Sequence, residues 1–111
     1  MDIQPTFSIP LQRLKDFLDS AGRGAVYWCD SSLKRSMGVD EALTRKGITV
    51  CDREQTPKKK YTLNILTIQK GLQTMAEKDP QEFAKILTGE YDDATGDQFM
   101  QYTLLNNVIY G

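Results

Sequence analysis

A chain of 111 residues, 40% hydrophobic and 26% charged, has the composition of one globular domain with room for a modest core but not for two. The formal net charge is −1 and the pI is near 5.4, which argues against a generally basic nucleic-acid binder. Histidine is absent, which removes the usual general base, the commonest metal ligand and every Ser-His or Cys-His nucleophile pair.

No apolar run is long enough to span a bilayer, and the opening Met1-Asp2-Ile3-Gln4-Pro5 lacks the basic and apolar regions of a signal peptide. The expectation is a soluble intracellular protein. Cys29 and Cys51 form no Cys-x-x-Cys pair and fall in candidate strands, so they read as small buried thiols, and no disulfide is indicated. Gly22 and Gly24 lack the third glycine and the Lys-Ser/Thr ending of a phosphate loop.

In chain order, Leu11, Leu14, Leu18 and Ala21 form a helical stripe that opens after Pro10 and stops at Gly22-Arg23-Gly24. The β-forming run Gly24 to Cys29 predicts a short strand, which would turn Tyr27 and Trp28 to opposite faces. Asp40 to Lys46 predicts a short helix ended by Gly47. Ile48 to Asp52 alternates as a half-buried strand, and Lys59 to Leu63 is its expected partner across an exposed loop containing Thr56-Pro57. A helix through Ile65, Ile68, Leu72 and Met75 follows, capped by Asn64 or Thr67. Asp79-Pro80-Gln81-Glu82 then joins a cap, an N1 proline and an acid three residues after the cap, starting a helix that ends at Thr88-Gly89.

In the last helix, Phe99, Tyr102, Leu105 and Ile109 keep helical spacing, with Met100, Leu104 and Val108 widening the face. Asp93 or Thr95 is the expected cap, and Asp97 places charge near the positive end of the dipole. The alternative for this acidic turn, a hard cation held by Asp92, Asp93 and Asp97 with Glu90, lacks EF-hand spacing. The fold class is α+β: a single domain over residues 1–111, with a short antiparallel sheet of two or three strands packed by about four helices.

Charge is uneven along the chain. Residues 34–60 carry eight basic and four acidic side chains, and residues 77–97 carry seven acidic and two basic. Arg53 with Lys58, Lys59 and Lys60, helped by Arg45 and Lys46, is suited to phosphates, with Tyr61 beside it as a stacking surface. The plainer reading is a solvated hairpin whose lysines prevent edge pairing. The acidic pole could instead imitate a phosphate backbone toward a basic partner. Tyr27 and Trp28 are core packing or interface anchors, one of them in the core.

The pieces Ala21 to Cys29, Ile68 to Ala76 and Tyr91 to Gln101, with the ending Val108-Ile109-Tyr110-Gly111, resemble a group of small uncharacterised proteins of bacteriophages and prophages. In that group a small residue, often alanine, stands at the position of Gly96, so a later or looser start of the last helix is expected here. The resemblance implies a phage accessory protein of the host bacterial cytoplasm and supplies no catalytic residues or cofactor.

The functional expectation is a non-enzymatic binding protein that modulates a host system, by blocking a defence protein or sequestering a small phosphate-bearing ligand such as a nucleotide. The candidate binding residues are Tyr27, Trp28, Arg53, Lys58, Lys59, Lys60 and Tyr61. The other classes are a nucleic-acid-associated replication or packaging protein, an enzyme using a divalent cation at the acidic turn, and a minor virion component. The apolar ending suits either the core or a homo-oligomer seam.

Overall fold

The computed structural model describes residues 8–33 and 35–111. The opening segment read for a signal peptide lies outside them, as does Lys34. The described chain runs α1 (Leu11–Gly24), β1 (Cys29–Asp30), α2 (Ser36–Ala42), β2 (Ile48–Asp52), β3 (Lys59–Leu63), α3 (Ile65–Lys78), α4 (Pro80–Thr88) and α5 (Asp93–Leu105). The strands form one antiparallel sheet in the order β1-β2-β3, so the fold is α+β.

Helix α5 is the central element and packs against α1, α3 and α4. It is therefore buried around much of its circumference, through Thr95, Gly96, Phe99, Met100, Gln101 and Tyr102. Phe17 of α1 stands edge-on to Phe99 and Tyr91, with ring centroids 5.2 and 5.1 Å away. Each such aromatic contributes roughly 1.5–3 kcal/mol through burial. Leu18 and Ala21 complete the buried stripe of α1, whereas Leu11 is exposed.

The α1–α5 crossing is made by backbone. A Cβ on Gly96 would stand 2.5 Å from the Ala21 Cα, and one on Gly24 would stand 1.9 Å from the Asp93 carbonyl oxygen. Both distances lie far inside van der Waals contact, so only glycine allows this approach. Helix α5 consequently starts at Asp93 and is already tightly packed at Gly96, against the expectation of a later or looser start.

Several boundaries differ from the sequence reading. The stretch 24–28 is not a strand: α1 runs on to Gly24, and the Trp28 and Cys29 amides both donate to the Ala25 carbonyl in a tight turn. Helix α2 begins four residues before the predicted 40–46 segment and ends at Ala42, so the two share only residues 40–42, and Gly47 turns the chain into β2 with a φ of 68°. The cap of α5 is Asp92, which accepts from the Thr95 amide while the Thr95 hydroxyl accepts from the Asp92 amide. Asn64 and Thr67 make the same reciprocal pair at α3, so both named candidates take part. Asp79 caps α4, with Pro80 at the first helical position and Gly89 closing the helix at a φ of 83°. Helix α5 stops at Leu105, where Asn106 has a φ of 63°, and Val108 and Ile109 lie beyond it, largely in solvent.

Strands β2 and β3 keep the predicted limits, with Ile48 opposite Leu63 and Asp52 opposite Lys59. Ile48, Val50, Asp52 and Leu63 are buried on the inner face, while Cys51, Lys60 and Thr62 belong to the outer face. Cys29 pairs with Asp52 and Cys51 with Asp30, which sets the two cysteines on opposite faces. Both are free thiols; Cys29 is buried as expected, and Cys51 only half so. Among the described residues, no helix is long and apolar enough to cross a membrane.

Candidate functional site

The turn after α1 brings Tyr27 and Trp28 to the same carboxylate. The Tyr27 hydroxyl donates to Asp97 Oδ2 at 2.7 Å, and the Trp28 indole Nε1 donates to Asp97 Oδ1 at 2.7 Å. One helical turn along α5, Gln101 Nε2 donates to the same Oδ1 at 3.1 Å. Because the two aromatics sit in a turn, they converge where a strand would have separated them. Burial and the Asp97 hydrogen bond push the Tyr27 phenol up to about 12.

Gln101 is fully buried, and its other end fixes the closing segment. Its Oε1 accepts the Ile109 amide at 2.7 Å and the Tyr110 amide at 2.8 Å, and its Nε2 donates to the Tyr110 carbonyl at 3.0 Å. Two amides converging on one atom require that atom to be oxygen, which sets the orientation of the side chain. The Tyr110 ring then lies against the Trp28 ring, centroids 5.2 Å apart and planes tilted by 38°. Its hydroxyl donates to Asp52 Oδ2 at 2.7 Å.

Asp52 is a fully buried carboxylate at the end of β2. It accepts from the Glu54 amide at 2.9 Å and from Gln55 Nε2 at 2.8 Å in addition to Tyr110. Burial raises its pKa, but the hydrogen bonds from Tyr110, Gln55 and Glu54 outweigh burial and hold it below the ordinary carboxylate value. The same bond from the other side pushes the Tyr110 phenol up to about 12. A continuous polar path thus runs from Tyr27 through Asp97, Gln101 and Tyr110 to Asp52, across parts of the chain remote in sequence.

The residues predicted from sequence as a binding group separate into three sets. Trp28 has no exposed surface and serves as the wall against which Tyr110 packs, so it is not a contact residue. Tyr27 is 48% exposed beside Val26 at 46%, and the Arg53 guanidinium donates to the Val26 carbonyl. Ile109 is 64% exposed, and its amide donates to Gln101, which also binds Asp97, the partner of Tyr27. Lys58, Lys59 and Lys60 are all exposed, and none is ion-paired among the described residues. Tyr61 is half-buried opposite Val50, with the Lys59 ammonium 5.2 Å from its ring centroid, so it is not a free stacking platform. Arg45 and Lys46 precede β2, at the opposite end of the hairpin from Arg53 and Lys58, and do not join the cluster.

The acidic turn does not gather as a cation site. Asp92 caps α5, Asp93 accepts from the Ser20 hydroxyl at 2.6 Å and lies 3.5 Å from Arg23, and Asp97 holds Tyr27 and Trp28. Among the described residues, no group of three or more Cys, Asp or Glu side chains could hold a metal ion. Sequence reading missed Gln101, Asp52 and Tyr110 as site-formers. The available signals were a glutamine inside an apolar helix face and a carboxylate on the inward phase of β2.

Comparison with protein-family models, curated proteins and solved structures found no match to this chain.

Proposed function

We propose that this is a non-enzymatic binding protein whose contact face comprises Val26, Tyr27 and Ile109, flanked by the cations Arg53 and Lys58 to Lys60. The observation that carries this reading is Tyr27: a large aromatic half in solvent, yet fixed in place by a hydrogen bond to a carboxylate. Aromatics that combine apolar area with low rotamer freedom are the usual anchors of protein interfaces. The unpaired lysines alongside favour a partner whose surface places carboxylates around an apolar centre.

The chemistry of the interior supports a role without catalysis. The carboxylates of Asp52 and Asp97 are each taken up by three donors, and the Tyr27 and Tyr110 phenols stay protonated to about pH 12. Burial pushes the Cys29 thiol up to about 12, which removes the thiolate a nucleophile needs. With the resemblance to phage accessory proteins, the reading extends to a host protein, blocked in the bacterial cytoplasm, as the partner.

Affinity capture from bacterial lysate with the wild-type chain, Tyr27→Ala and a Lys58/Lys59/Lys60→Glu triple variant tests this. The expected result is a protein retained by the wild type and lost from both variants. Equal recovery by all three, or no recovery, rejects the face. The lysines taken alone also suit a phosphate backbone, and that second reading requires binding to DNA or RNA that weakens steeply with added salt.

A further inference from the structure

Residues 107–111 occupy a slot whose walls recognise generic peptide features. Gln101 reads the backbone of a bent segment: its Oε1 accepts two consecutive amides, a convergence that requires a turn rather than an extended strand, and its Nε2 donates to a carbonyl. Trp28 supplies an aromatic wall, and at the far end Asp52 receives a phenolic hydroxyl. Val108 and Ile109 add little burial, being 40% and 64% exposed. The segment is therefore held by its backbone and by Tyr110, while its start is fixed separately where Lys78 donates to the Asn106 carbonyl.

We propose that this slot is a peptide-docking site for a partner segment that makes the same turn and in which an apolar residue is followed by tyrosine, with residues 107–111 as its internal occupant. The phenol makes the specificity: a buried carboxylate with two donors already in place rewards a third hydroxyl donor and leaves phenylalanine without that bond. The backbone contacts are indifferent to side chains, so the residue before tyrosine needs only to be apolar and accommodated at the surface. A docked partner displaces the closing segment, freeing Ile109 and rearranging the face beside Tyr27. The slot stands on its own geometry and does not require the outer face to be a contact surface.

Trp28 is the single tryptophan, so its emission reports the slot directly. The probe is an end-blocked hexapeptide with the sequence of residues 106–111, titrated into the full chain and into Tyr110→Ala. Weakening the internal competitor by loss of the Tyr110 ring and hydroxyl should tighten binding about tenfold in Tyr110→Ala, and replacing the peptide tyrosine by phenylalanine should weaken it about tenfold, as expected for a hydrogen bond to a charged group. The lysine triple variant should bind the peptide as the wild type does, which separates this slot from the outer face.

A folded Tyr110→Ala chain that shows no saturable change in Trp28 emission overturns the proposal. If that variant fails to fold, amide exchange of the wild-type chain decides: Ile109 and Tyr110 should exchange faster than Tyr102 of α5, and equal protection overturns the proposal. A chain that dimerises by exchanging closing segments, with no binding of free peptide, also overturns it and gives the slot to a second copy.

Discussion

The acidic corner around α4 and α5 and the basic β2–β3 hairpin have opposite charge and opposite use of it. In the corner, Asp79 and Asp92 cap helices, Glu82 accepts from Thr95 at 2.7 Å and pairs with Lys85 at 2.9 Å, and Asp93 meets Ser20 and Arg23. In the hairpin, Lys58 to Lys60 meet no carboxylate among the described residues. Charge engaged by backbone amides and hydroxyls sets where helices begin, and it is a poor candidate for imitating a phosphate backbone. Charge left unpaired contributes little to the fold and is available to a partner.

The largest effect expected from breaking this contrast is at Asp97, which belongs to the acidic run by sequence and to the aromatic node by structure. Asp97→Ala leaves the buried Trp28 Nε1 without an acceptor, removes one acceptor of Gln101 Nε2 and frees the Tyr27 phenol, and should cost about 3 kcal/mol in denaturant unfolding. Next comes Gly96→Ala, where a Cβ forces α1 away from α5 at a cost of about 1–3 kcal/mol, measured in the same way. Asp79→Ala removes the α4 cap and the hydrogen bond to the Tyr102 phenol, with an expected loss of about 1–2 kcal/mol. Smallest is the lysine triple, Lys58/Lys59/Lys60→Gln, which should change stability by less than about 0.5 kcal/mol. Its effect should fall on association with the captured partner, slowed about tenfold at low salt. An equally large stability loss from the triple variant would erase the contrast.

The pH dependence sharpens it further. The Tyr27 and Tyr110 phenols have folded values of about 12, above the ordinary value of about 10. Their contribution is therefore complete below about pH 10 and is lost as the pH rises toward 12. Spectrophotometric titration should show these two phenols ionising late, together with loss of the tertiary signal. Asp52 has the opposite sign: its depressed value gives stability that is present above the ordinary carboxylate value and lost as the pH falls through the folded one.

The sequence made visible the elements whose limits are set locally. The alternation of β2, the cap and proline of α4 and the pattern of α3 act within a few residues, and the structure keeps them. Residues 24–28 were misleading because Val26, Tyr27 and Trp28 are β-formers held in a turn by Asp97, about seventy residues away. Val108 and Ile109 continue the spacing of α5, yet the left-handed Asn106 ends that helix before them. Gln101 could not be recognised as a hub, because its partners are backbone groups of a segment that would have been its own helix. The candidate site is built almost wholly from such long-range choices, so little of it could be read in advance beyond Tyr27, Arg53 and the lysines.

The glycine crossing of α1 and α5 has a consequence for binding. A contact made backbone to backbone freezes no side-chain rotamer, so this tight joint forms where there is little side-chain entropy to lose. The turn carrying Tyr27 leaves directly from that joint, and its phenol is tied to the same helix one residue beyond Gly96. Tyr27 is therefore ordered by folding itself, and a partner that covers it meets a preorganised surface with that ordering cost already met.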